Sequence, residues 1–176
     1  APAPASRAEL EESMGTILTR AFRDPSFALI FLGFFSCGYQ LAFVTAHFPA
    51  FVEEMCGPID PGGMLHAVGI TTTSALGAWS IALIGVANVA GTLMAGWAGK
   101  RWQRKYLLGI YTARTIVAGT FILMPITPTS VILFSLLMGS LWLATVPLTS
   151  GLVAHLYGLR YMGTLYGVVF FSHQLG

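Results

Sequence analysis

The chain has 176 residues, 55% of them hydrophobic and only 9% charged, with a formal net charge of +2. Soluble domains carry about a quarter charged residues, so this composition excludes an ordinary water-soluble globule. Nine basic residues scattered through apolar sequence also exclude the dense basic surface of a nucleic-acid binder.

Residues 1–26 read as a polar linker. The opening APAPAS lacks the apolar core of a signal peptide. The stretch RAELEESMGTILTRAFRD that follows has the pattern of an amphipathic surface helix. No charge then occurs from Ser26 to Val52, from Pro61 to Gly99, or from Thr115 to Leu159. About 20 apolar residues suffice for a helix to cross the hydrocarbon core, and the second and third blocks exceed one crossing. The expected fold is all-α: a polytopic transmembrane helix bundle over residues 27–176. Its five helices are predicted at about 27–52, 74–98, 106–124, 131–152 and 161–176. Between the first two lies EEMCGPIDPGG, rich in acids, Gly and Pro as turns are. Between the third and fourth, PITPTS places Pro125 and Pro128 at a helix end and a helix start. The last run is shorter than a full crossing and residue 1 is Ala, so the chain is expected to be an internal piece of a longer one. Cys37 and Cys56 fall at different depths, and no disulfide is expected between them.

The basic residues set an orientation. Arg7, Arg20 and Arg23 precede the first helix; Lys100, Arg101, Arg104 and Lys105 lie between the second and third; Arg160 lies between the fourth and fifth. Cytoplasmic loops concentrate Lys and Arg, so the N-terminal segment is expected to be cytoplasmic. These residues also suit contact with anionic lipid headgroups. Only Arg114 falls outside the pattern.

Ala87, Gly91, Ala95 and Gly99 recur every four residues, and Gly163 and Gly167 repeat the spacing. Small residues so placed let helices approach closely. A sliding interface and static packing both fit. Pro147, inside the fourth helix, is expected to bend it.

The loop between the second and third helices reads GWAGKRWQRK, Gly96 to Lys105. It resembles the cytoplasmic loop motif of the major facilitator superfamily, G-x-x-x-D-R-x-G-R-K. Gly96, Arg101, Arg104 and Lys105 match, while Lys100 replaces the acid and Gln103 the second glycine. A degraded copy of this kind belongs to the second half of such carriers. The stretches CGYQLAFVTAHFPAF, LWLATVPLTSGLVAHLYGLRYMGTLYG and FFSHQLG look like bacterial carriers near the monocarboxylate and oxalate–formate branch. The resemblance implies that the five helices correspond to the seventh through eleventh of twelve, in the cell's inner (plasma) membrane. It also implies a missing N-terminal half of the same chain. Carriers of the monocarboxylate branch hold a substrate-pairing arginine, with an aspartate four residues before it, in the helix matching the second here. Asn88 and Thr92 stand at those positions, a departure from the branch.

Arg114 is expected near mid-depth in the third helix. A central arginine costs roughly 3 kcal/mol or more, so it needs protein or water around it. It suits a carboxylate clamp. The matching helix is peripheral in the family, which favours bracing neighbouring helices instead. His173 lies near mid-depth in a helix that the resemblance places beside the cavity, and it suits an anion or a coupling proton. An interhelical hydrogen bond is its competing role. Gln40 lies at contact depth, and Asn88, at the position of the family's aspartate, is a further candidate substrate contact. Trp142, Thr145 and Thr149 share one face of the fourth helix, to contact a small substrate or simply to pack.

Together these readings predict a secondary active transporter of a small solute, a small organic anion by resemblance, working by alternating access. The competing reading is a truncated or sensor-type membrane protein with no transport of its own. Intramembrane catalysis ranks last, because the sequence has no HExxH, no G-x-S-x-G and no paired intramembrane carboxylates. No cofactor or metal is implied. The partners expected are the lipid bilayer and a small-molecule substrate.

Overall fold

Asp24-Pro25-Ser26 is a helix start written in sequence: an acceptor side chain, then a proline whose missing N–H costs nothing in the first turn. In the computed structural model, which describes residues 13–102 and 109–176, the Asp24 carboxylate accepts from the Ser26 N–H at 2.8 Å. The helix so begun is the longest. In chain order the described helices are α1 Met14–Arg23, α2 Pro25–Met55, α3 Met64–Ala67 and α4 Thr73–Arg101, followed by α5 Ile110–Leu123, α6 Pro128–Leu141, α7 Thr145–Tyr157 and α8 Leu159–Leu175. No strand occurs among the described residues.

Other starts follow the same chemistry. Thr72 caps α4 by accepting from Ala75 N–H at 3.1 Å. Thr127 and Ser130 form a reciprocal capping box around Pro128 at the head of α6. Ser13 accepts from the Thr16 N–H to open α1.

The stretches Pro25–Met55, Thr73–Arg101 and Pro128–Tyr157 are each long and apolar enough to cross a membrane, and Ile110–Leu123 is a shorter apolar helix. In the apolar windows of α2 and α4, only 28% and 22% of residues are buried. Leu29, Leu32, Phe35, Phe43, Val86, Val89, Leu93 and Met94 all point outward. Faces this apolar and this uncovered require lipid rather than water, which makes this a membrane-associated protein.

The chain divides into two compact units, Ala1–Gln40 with Thr149–Gly176, and Leu41–Leu148. In the second unit, α4 packs along α6 more extensively than any other helix pair does. The small residues predicted for such a contact are where it forms. A Cβ on Gly91 would run into the Ser140 carbonyl, and one on Gly139 would lie 2.5 Å from the Ile84 carbonyl. Ala95 continues the contact, against Ala144 and Leu148. Gly163 and Gly167, which share the spacing, face open space in α8. The unit's core is aromatic at its centre: Phe121 stacks on Phe134 at 4.2 Å, and Phe48 lies 4.9 Å from Phe134. Val44, Val52, Leu76, Val131, Met138 and Trp142 complete it.

In the first unit, Tyr157 at the end of α7 donates from its hydroxyl to Asp24 Oδ2 at 2.6 Å and stands edge-on to Phe27. Gly158, at φ 82°, turns the chain directly into α8. The Tyr157 hydroxyl, and after it the Ser26 N–H, hold the Asp24 carboxyl below its ordinary value of 3.8. Because this carboxyl is more acidic folded than unfolded, its contribution to stability is present above the ordinary value and is lost as pH falls through the lowered one. Thermal melts in detergent are therefore expected to show a drop as pH falls from about 5 to below 3.8 that Asp24→Asn and Tyr157→Phe each reduce. Identical pH profiles in all three proteins would show that the contact contributes nothing.

Candidate functional site

Pro147 dictates the local problem. It has no N–H for the carbonyl four residues earlier, Leu143, and its ring crowds that carbonyl. The apolar segment 128–157 accordingly breaks: α6 ends at Leu141 and α7 begins at Thr145. The predicted span of 131–152 thus covers parts of two helices, with Pro147 in the first turn of the second. The Val146 N–H turns to the Leu143 carbonyl at 3.0 Å. In a continuous helix that N–H would have bonded Trp142, and the Leu143 N–H would have bonded Gly139.

Two polar side chains take the released groups. Asn88, from α4, accepts the Leu143 N–H on Oδ1 at 3.0 Å. Arg114, from α5, donates through Nη1 to the Trp142 carbonyl at 3.5 Å, with its guanidinium carbon 5.9 Å from the Trp142 ring centre. Arg114 is only 1% exposed and is the largest fully buried side chain among the described residues. The Thr92 hydroxyl also approaches Asn88 Oδ1, at 3.4 Å. A donor and an acceptor from two helices therefore hold the two ends of one peptide group, Trp142–Leu143, within the break. Trp142 and Thr145, both predicted site residues, flank the break and are buried. The Thr145 Oγ1 and, one turn along α7, the Thr149 Oγ1 are buried with no hydrogen-bond partner.

The first unit carries His173 and Gln40. The His173 ring stacks on Phe170 at 5.7 Å and 4°, and meets Phe34 edge-on at 5.9 Å. Phe34 also meets Tyr166, whose hydroxyl is buried without a hydrogen-bond partner. Tyr166 escaped the sequence reading because a tyrosine at this spacing looks like ordinary helix packing. The backbone carbonyl of His173 lies where a Cβ on Gly38 would stand, so α2 and α8 touch there without side chains between them. Next to this contact the Ser172 hydroxyl donates to the Phe31 carbonyl at 2.9 Å. Gln40 is half-buried and its amide Nε2 reaches the Ser36 hydroxyl at 3.3 Å.

Of the loop motif, Arg101 lies with its guanidinium 4.5 Å over the Trp97 ring, and Gly96 has open space beside it. Arg104 and Lys105 lie outside the described residues, as does the predicted start of the third helix at Tyr106. An apolar crevice in the second unit, lined by Ile116, Thr120, Leu133 and Leu137 among others, holds none of the predicted site residues. No group of three His, Cys, Asp or Glu side chains able to hold a metal occurs among the described residues. Comparison with protein-family models, with curated proteins and with solved structures finds no match to this chain.

Proposed function

We propose that this chain is the second half of a secondary active transporter of the major facilitator type, which moves a small organic anion by alternating access. The observation that carries the proposal is the break at residues 142–144 between two apolar helices, with Arg114 and Asn88 on the two ends of its Trp142–Leu143 peptide group. Non-helical backbone at membrane depth persists only where protein or a water-filled cavity surrounds it, and carriers use such interruptions at their substrate sites. The resemblance of Gly96–Lys105 to the superfamily's loop motif supports the same reading. In this proposal five helices cross the inner membrane, with the N-terminal segment cytoplasmic because the basic residues gather on that side. The substrate contacts proposed in the second unit are Asn88, Trp142 and Thr145, and those proposed in the first unit are Gln40, Thr149 and His173. Arg114 braces the break.

The test is uptake of radiolabelled small organic acids by proteoliposomes holding the native protein purified from its membrane. Uptake above that of empty liposomes is expected, and its complete absence across formate, oxalate, lactate and pyruvate would overturn the anion reading. His173→Ala should reduce uptake on the order of ten-fold while insertion and folded yield stay unchanged. Unaltered kinetics in that variant would remove His173 from the site.

A further inference from the structure

Helix α1 divides cleanly around its axis. At 100° per residue, Met14, Ile17, Leu18, Ala21 and Phe22 fall within an arc of about 140°, and Ser13, Gly15, Thr16, Thr19, Arg20 and Arg23 fill the opposite side. The two arcs have different fates. Ile17 and Ala21 are fully buried, where α1 packs against α8. The polar arc is exposed, and its six residues line one open hollow. No acidic side chain occurs within α1.

Position along the chain fixes where this face lies. Only Asp24 separates α1 from α2, the 31-residue apolar helix. The Phe22 ring sits 5.6 Å from Phe27 and 6.3 Å from Phe31, level with the first turns of α2, and is 58% exposed. An exposed aromatic at that level, with guanidinium groups on the far side of the same short helix, matches the boundary between acyl chains and headgroups.

We infer that the polar face of α1 is a docking surface for anionic phospholipid, in which Arg20 and Arg23 hold the headgroup phosphate. Two guanidinium groups on one face offer charged donors of the kind that phosphate oxygens accept. The hydroxyls beside them are engaged within the helix, Thr19 donating to the Gly15 carbonyl and Ser13 bonding Thr16. The two arginines are also spaced within one turn, so one headgroup spans both. A bilayer presents this ligand continuously at the depth where the hollow opens, which a soluble anion does not.

The experiment is native mass spectrometry of the full chain released from micelles holding equal phosphatidylcholine and phosphatidylglycerol. The wild type should retain phosphatidylglycerol preferentially. Arg20→Gln with Arg23→Gln should lower that retention on the order of ten-fold, leave phosphatidylcholine retention unchanged and preserve folded yield. Arg20→Lys with Arg23→Lys should keep most of it, since the charge remains. Lys100→Gln with Arg101→Gln should leave it largely intact. Equal retention by the double glutamine variant would overturn the inference. So would an equal loss in the Lys100 and Arg101 variant, which would mean diffuse attraction, or displacement of the lipid by millimolar inorganic phosphate, which would mean a free-anion site.

Discussion

Arg114→Ala lowers the thermal midpoint in detergent by roughly 2–10 °C and reduces folded yield, because it strands a buried carbonyl at the point where the helix is interrupted. The Trp142 carbonyl has lost its own helix donor to Leu143, and the arginine supplies the replacement from α5. Asn88→Ala should act on the other end of the same peptide group by stranding the Leu143 N–H. Since the two side chains hold the two ends of one peptide group, the double variant should cost less than the sum of the singles. Arg114→Lys keeps a charge but loses the planar fork, and should fall between wild type and alanine. An Arg114→Ala protein as stable as wild type but with substrate affinity lost would overturn the bracing role and make Arg114 a ligand for the anion.

Gly91→Ala is the smallest change with a large expected effect. A single methyl would collide with the Ser140 carbonyl, which is backbone and cannot swing aside, so α4 and α6 must separate along their length. A cost of about 1–3 kcal/mol is expected for overpacking of this kind, read as lost yield and a lower melting point. Gly85→Ala, six residues earlier on the same helix, supplies the control. Nothing lies within 4 Å of its added Cβ, so the better helix propensity of alanine should leave stability unchanged or raised. Equal behaviour of the two variants would show that the α4–α6 contact is looser than its geometry implies.

These two sites also separate what the sequence makes legible from what it does not. The close contact was readable because Ala87, Gly91 and Ala95 repeat at helical spacing, although Gly163 and Gly167 share that spacing and face open space. The helix start at Pro128 was readable because prolines act locally, and the starts predicted at about 27 and 74 fall within two residues of Pro25 and Thr73. The break at 142–144 was visible only as a bend at Pro147. Where a proline-bearing helix opens depends on which side chains can take the freed groups, and those come from Asn88, 55 residues before its partner, and from Arg114, 28 before its own. The Asp24–Tyr157 bond spans 133 residues and leaves no periodic trace at all. For the candidate site, side-chain type marked Arg114 and His173 as polar groups out of place, and the family resemblance marked Asn88. Which backbone they would meet is a tertiary fact.

The interrupted helix also bears on biosynthesis. As it leaves the ribosome, Pro128–Tyr157 is a 30-residue apolar stretch that an insertion machinery would handle as one unit. On the proposed membrane arrangement, its opening at residue 142 exposes peptide groups to hydrocarbon unless their partners are already present. Asn88 and Arg114 precede it in the chain, so translation delivers acceptor and donor before the groups they hold. Arg114 gains in return, since a lone guanidinium in lipid is strongly disfavoured until such an acceptor arrives. The order of residues along the chain is thus also an order of assembly, in which α5 settles only once the segment after it has opened.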